Sequence, residues 1–271
     1  MDSKVAEAVD YLKKNGIENA EIAIILGTGL GKLIDHIEIW QTIDYGNIPH
    51  FPVSTVEFHH GKLICGNLCG KKVIVMQGRF HYYEGYDMKQ ISFAVPVMKA
   101  LGVKCLLVSN AGGALNPDFQ KGDLMLITDH INQFWDNPLI GRNDDAAGPR
   151  FVDMSHAYTR ELNQLFIEAA TEENIKIQQG IYTAVCGPSL ETRAEYRYLR
   201  VIGADVVGMS TIPEVTTANH IGLPVAAVSV ITDECDPDNL APIDINDILE
   251  TAANAEVDLI KLFKGVVSRV E

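Results

Sequence analysis

Apolar positions along this chain follow two rhythms. Short β-rich runs, "EIAIIL" (21–26), "KLICGNL" (62–68), "KVIVM" (72–76), "KCLLVS" (104–109), "DLMLIT" (123–128), "IQQGIYTAV" (177–185), "DVVGMS" (205–210) and "PVAAVSVIT" (224–232), read as strands. Several are apolar throughout, the pattern of strands covered on both faces. Between them, apolar residues recur every three or four positions, which predicts helices over 3–14, 88–101, 159–173, 191–202, 213–221 and 246–269. Only "LCGK" (68–71) looks like a hairpin turn. The stretch 133–150, rich in Gly, Pro, Asn and Asp, is the candidate functional loop. There is no repeat and no linker. The pattern predicts one α/β domain over residues 1–271, a large mixed, mostly parallel twisted sheet flanked by helices.

Composition adds limits. Apolar residues make up 47% and charged residues 21% of 271, ordinary for a globular protein with a full core. The formal charge of −14 repels polyanions, and the densest basic stretch, "ETRAEYRYLR", interleaves its arginines with acids, so nucleic acid is not an expected partner. One or two arginines in a pocket can still hold a small phosphate. Cys65 and Cys69 are spaced C-x₃-C with no histidine pair at finger spacing, so no zinc site is expected. No apolar run approaches the roughly 20 residues of a membrane span. The first residues have helical spacing, unlike a signal peptide, and a reduced cytoplasmic protein is the expectation.

Sheets of this kind bind ligands beyond the carboxyl ends of their strands. Six post-strand segments therefore belong together: "GTGLG" (27–31), "QGRFHYYEGY" (77–86), "NAGGALN" (110–116), "CGPSLE" (186–191), "MST" (209–211) and "TDECD" (232–236). The first is neither a Walker loop nor a dinucleotide fingerprint, and reads equally as an anion-approaching turn around Thr28 or as a plain tight turn. In "GRFHYYEGY", Arg79 and His81 share one side of an extended segment, with Tyr83 following. Arginine can grip phosphate, histidine can donate, tyrosine can reach a sugar hydroxyl, and Glu84 can fix the histidine tautomer. A surface loop is the plainer reading, but the density of functional groups favours a site. "SNAGGALNP" offers small residues to an oxyanion or closes a turn. Glu191 reads as an ordinary helix-start acid. The four acids of "TDECDPD" (232–238) are compatible with a metal, a substrate contact or solvent.

In order along the chain, "GTGLG", "STVEFHHGKL", "GRFHYYEGY", "SNAGGALN", "RFVDMSHAY", "CGPSLETRAE" and "GADVVGMSTIPEV" resemble the trimeric purine nucleoside phosphorylases, the branch that also holds the methylthioadenosine phosphorylases. That resemblance implies phosphate-dependent cleavage of purine nucleosides, with phosphate a co-substrate and no metal or organic cofactor. It implies a phosphate site of Thr28, His59, Arg79, His81, Ala111 and Ser210. Ribose would meet Tyr83 and Met209, and Phe151 would close over the sugar from a neighbouring subunit of a homotrimer. The purine would lie near Ala111, Gly113, Leu190, Glu191, Val207, Thr232 and Asp233, with Cys235 at the pocket wall. His81, Glu84, Glu191 and Asp233 would carry the catalysis.

Four positions depart from the family pattern, the first being Thr28, where serine is usual and threonine keeps the hydroxyl. Leu190 stands where an aromatic is common. Asp233 stands where enzymes for inosine and guanosine carry asparagine; ionised, it can only accept, which suits a 6-amino group or a protonated N7. Ile245 stands where a histidine often meets the ribose 5′-OH, and an apolar residue there tolerates a 5′-methylthio group. Glu191 points the other way, toward the N1–H and 2-amino group of 6-oxopurines. The resulting expectation is a phosphorylase of inosine and guanosine and their deoxy forms, with methylthioadenosine or broader 6-aminopurine specificity as the alternative. A metal-dependent phosphoesterase and a non-catalytic nucleoside binder are the readings from other classes.

Overall fold

The computed structural model describes residues 2–55, 60–240, 242 and 244–270. The strands are β1 (Ile22–Leu26), β2 (Glu38–Asp44), β3 (Lys62–Leu68), β4 (Lys71–Gln77), β5 (Cys105–Ala114), β6 (Leu124–Asn132), β7 (Ile177–Ala184), β8 (Val206–Gly208) and β9 (Val225–Glu234). The α-helices are α1 (Ser3–Lys14), α2 (Met88–Ile91), α3 (Ala94–Ala100), α4 (Arg160–Glu172), α5 (Arg193–Val201), α6 (Ile212–His220) and α7 (Ile245–Arg269).

All nine strands join one mixed sheet in the order β2-β3-β4-β1-β5-β8-β7-β6-β9. An additional parallel pairing of β9 with β5 closes the last five strands into a ring. The hydrophobic rhythm carries no sign of that closure. The β3–β4 hairpin turns at Cys69 and Gly70, both with positive φ (52° and 82°), as a two-residue turn between right-twisted strands requires.

Apolar strands divide their side chains between two cores. From β1, Ala23 and Ile25 enter the layer beneath α1, α3 and α6, while Ile22, Ile24 and Leu26 enter the layer beneath α4 and α7. That double coverage is why these strands lack polar alternation.

Two elements differ from the expected pattern. The helix expected over 88–101 is divided, because Pro96 has no N–H to offer Ser92 and its ring crowds that carbonyl four residues back. Strand β2 is missed by periodicity because it is a solvent-facing edge, with Ile39 and Trp40 both about half exposed, so neither face is apolar.

Strands β5 and β9 run on through "NAGGA" and "TDE", so those segments are strand rather than loop. Glycines make the close pairing there possible. A Cβ on Gly112 would stand 2.9 Å from the carbonyl oxygen of Val207. A bulge then shifts the register between Gly112↔Ile231 and Gly113↔Asp233. Successive strand residues normally face opposite ways, and the bulge lets Thr232 and Asp233 border the same cleft.

Candidate active site

The carboxyl ends of β1, β4, β5 and β9 converge on an open cleft of about 780 Å³, solvent at its mouth included. Strand β8 runs antiparallel to β5, so Met209 and Ser210 reach the cleft from the opposite direction.

Arg79 anchors one end. It is 1% exposed, and its Nη1 donates to Ser210 Oγ at 2.7 Å and to Thr211 Oγ1 at 3.1 Å. Its Nε stands 3.6 Å from the carboxylate of Glu214, which is equally buried. Thr211 has φ +73°, a costly conformation for a β-branched residue. Hydrogen bonds hold its surroundings in place: Asn110 Nδ2 donates to Thr211 Oγ1 at 2.8 Å, and the Ser210 N–H donates to the Tyr182 hydroxyl at 3.3 Å. The strained residue thus starts α6 and turns Ser210 toward Arg79.

His81 stands beside this pair. Residues Tyr82–Glu84 form a single 3-10 turn rather than the extended segment expected, and this stacks His81 on Tyr83 at 4.6 Å and 12°. The turn also brings Glu84 back beneath His81, with Oε1 accepting from the backbone N–H at 2.8 Å and facing Nδ1 at 3.0 Å. Burial alone would raise the Glu84 carboxyl, but the hydrogen bonds from His81 and Thr55 outweigh it and hold it at about 2. Burial lowers His81 despite its carboxylate partner. A neutral imidazole donating from Nδ1 to a carboxylate presents Nε2 as an acceptor.

The other end carries two acids. Asp233 receives the Thr232 hydroxyl on Oδ1 at 3.0 Å and the Cys235 thiol on Oδ2 at 3.2 Å. Glu191 is raised, by burial first and then by the charges of Asp233 and Glu195, against hydrogen bonds that include one from Tyr196. Burial likewise raises the Cys235 thiol and the Tyr196 phenol. Glu191 does not sit in the first turn of α5: Thr192 caps that helix, and Glu195 completes the capping box.

Thr28, Arg79, His81, Tyr83, Ala111, Gly113, Leu190, Glu191, Val207, Met209, Ser210, Thr232, Asp233 and Cys235 all border the one cleft. Glu84 reaches it only through His81. Ile245, the first residue of α7, is 48% exposed, and Ile248 lines the cleft instead. Phe151 is 90% exposed and outside its own chain's cleft. His59 lies outside the described residues. The remaining acids of "TDECDPD" are engaged elsewhere: Glu234 accepts from the Lys121 N–H, Asp236 from Asn239, and Asp238 from Arg197 of α5. Among the described residues, no three His, Cys, Asp or Glu side chains are grouped as a metal site. No described helix is long and apolar enough to cross a membrane.

Sequence reasoning missed Asn110, Thr211, Glu214, Tyr182 and Tyr196. Asn110 and Thr211 stand in two of the post-strand segments grouped above without being singled out, and Glu214 gave a signal as an acid in an otherwise apolar helix start, "TIPEV".

A sequence profile described as "Phosphorylase superfamily" matches residues 21–268. Purine nucleoside phosphorylase 1 of Bacillus subtilis (strain 168) is 48% identical over 271 residues, covering 100% of both chains. The Mus musculus purine nucleoside phosphorylase is 44% identical over 254 residues, 91% of this chain and 88% of the relative. Among solved structures, isoform 2 of the Schistosoma mansoni purine nucleoside phosphorylase, in complex with cytosine and ribose-1-phosphate, aligns with a TM-score of 0.94 at 41% identity, covering 99% of this chain and 96% of that one. A second Schistosoma mansoni purine nucleoside phosphorylase structure, in complex with adenosine, gives 0.93 at 40% identity, covering 98% and 97%.

Proposed function

The chain belongs to the phosphorylase superfamily, and within it we propose that it is a purine nucleoside phosphorylase. It cleaves the N-glycosidic bond of inosine, guanosine and their deoxy forms with inorganic phosphate, giving free purine and (deoxy)ribose 1-phosphate. The observation that carries this reading is a single cleft joining an anion end, Arg79, Ser210 and His81, to a base end, Glu191 and Asp233.

Phosphate binds against Arg79, Ser210, His81, Thr28 and the Ala111 amide, with His59 at its edge. His81 Nε2 accepts from a phosphate hydroxyl, leaving the other oxygens to the guanidinium. Breaking the glycosidic bond builds positive charge on the sugar, as in glycoside hydrolysis, and an anion held beneath C1′ stabilises that charge before attacking it. The leaving purine gathers electron density and takes up a proton at N7, balancing the one the phosphate hydroxyl gives up as its oxygen bonds C1′, and Asp233 accepts a hydrogen bond from that N7–H. Glu191 reads the N1 edge. Positioning and electrostatics supply the acceleration, with no covalent enzyme intermediate. Phosphate is a co-substrate, and no metal or organic cofactor takes part.

The whole chain acts as one phosphorylase domain, in the cytoplasm, as a homotrimer. Supporting the trimer, Phe151 is almost fully exposed and does not line the cleft that holds Arg79 and Asp233, which fits a place over a neighbour's sugar site.

One observation favours a second base preference. Asp233 accepts from both Thr232 and Cys235, so its oxygens act as acceptors here. An acceptor suits a 6-amino group, as in adenosine or methylthioadenosine. Schistosoma mansoni relatives bound to adenosine and to hypoxanthine are among the structural neighbours, which fits both. Base release from inosine, guanosine, adenosine and methylthioadenosine, measured side by side with phosphate, tests the assignment. Inosine and guanosine are expected to lead; cleavage of methylthioadenosine alone would overturn it.

A further inference from the structure

Helix α7 touches the cleft at one end and the loop after β1 along its length. Ile248 lines the cleft. At Gly29, which has φ +73°, a Cβ would stand 3.1 Å from Ala252 Cβ and 3.5 Å from Leu249 Cδ2, so the loop lies directly on this helix. One turn further on, Glu256 Oε1 accepts the backbone N–H of Lys32 at 2.6 Å, 224 residues away in sequence. The Leu33 N–H also donates to this carboxylate.

Glu256 occupies an expensive position. It is 2% exposed, among Leu33, Ala252, Leu259 and Ile260 of the α7 core, and its Oε2 has no hydrogen-bond partner among the described residues. Its carboxylate accepts backbone N–H groups at the start of the 3-10 turn Lys32–His36, and an apolar residue there would leave those donors without it. What the acid does is fix the chain at Lys32 and Leu33. The segment thereby held, residues 27–32, carries Thr28, which lines the same cleft as Arg79 and His81. The loop closes on itself through Leu30 N–H to the Gly27 carbonyl at 3.2 Å, so pinning its far end pins the turn that carries Thr28.

We infer that Glu256 is a positioning residue for phosphate: from behind the sheet it clamps the loop of residues 27–32 onto helix α7 and so sets where Thr28 meets the anion. The inference rests on the phosphorylase reading, in which this loop holds phosphate.

Glu256→Asp keeps the charge but withdraws the oxygens by one methylene, Glu256→Leu removes the acceptor, and Glu256→Gln keeps an acceptor carbonyl. Steady-state kinetics with inosine and phosphate varied separately should show the KM for phosphate rising about ten-fold in Glu256→Asp and Glu256→Leu. The KM for inosine and kcat should stay within about two-fold, and Glu256→Gln should restore the phosphate KM to within about three-fold of the parent. A purely structural role would lower the melting temperature and leave the phosphate KM unchanged, which overturns the inference, as does an equal rise in both KM values. If Glu256→Leu does not fold, Glu256→Asp against Glu256→Gln decides. If the parent protein cleaves no nucleoside, the functional reading fails separately, and inorganic phosphate alone decides the inference. A phosphate-induced rise in melting temperature that shrinks in Glu256→Asp supports it; an equal rise, or none in the parent, overturns it.

Discussion

Glu84 holds His81 at two points, accepting its backbone N–H at 2.8 Å and its Nδ1 at 3.0 Å on the same oxygen. The other oxygen is occupied by Thr55, through N–H at 2.8 Å and Oγ1 at 2.6 Å. The imidazole is thereby fixed in both rotamer and tautomer. A misplaced catalytic group can cost about 100-fold, and a loss of that order in kcat/KM is expected for Glu84→Ala. The pH dependence follows from the same contacts. The Glu84 carboxyl falls from 4.5 to about 2 on folding, so its stabilisation is complete above pH 4.5 and disappears as pH drops toward 2. Thermal melts of Glu84→Gln should therefore show a flatter acid limb in that window, and an unchanged limb would contradict the assignment.

Arg79 and Glu214 form a buried pair, and the two charges depend on each other. Removing Arg79 alone, as Arg79→Met, strands a buried carboxylate and should destabilise the fold by about 3–5 kcal/mol in denaturant melts. The double variant Arg79→Met/Glu214→Gln should recover more than half of that loss while remaining inactive. Equal stability of the single and double variants would show that Glu214 does not sense Arg79.

Gly113 lines the cleft and packs directly against Cys235 and Asp233. A Cβ there would stand 2.4 Å from Cys235 Sγ and 2.9 Å from Asp233 Oδ2. Gly113→Ala should displace Asp233, raising the nucleoside KM about ten-fold or more while leaving the phosphate KM nearly unchanged. A parallel rise in both would mean the glycine serves the fold rather than the base.

Asp233 can be tested by a single atom exchange. Asp233→Asn adds a donor toward O6 of the purine and should raise the inosine-to-adenosine ratio of kcat/KM about ten-fold or more. An unchanged ratio would remove Asp233 from base reading.

Much of this site was legible in the sequence because its groups sit at strand ends, where a glycine or hydroxyl after an apolar run marks position as well as chemistry. Thr28, Arg79 and His81 stand out that way, whereas the roles of Ser210 and Asp233 come from the family resemblance. The supports were not legible, because they come from distant segments. Thr211 meets Arg79 across 132 residues and Asn110 across 101, and its strained backbone leaves no trace in residue type. Glu256 carries no mark of its role, because its partner Lys32 lies 224 residues away. The division of 88–101 at Pro96 was readable and passed over, whereas closure of the sheet through β5 and β9 depends on glycine contacts that hydrophobic periodicity does not encode.

The most direct measurement follows the fate of phosphate itself. Inosine and the protein, incubated with and without inorganic phosphate, are assayed for hypoxanthine by absorbance and for the sugar product by ³¹P NMR. Hypoxanthine is expected only when phosphate is present, together with an equimolar ribose 1-phosphate resonance. Hypoxanthine released without phosphate, with free ribose as the sugar product, would contradict phosphorolysis.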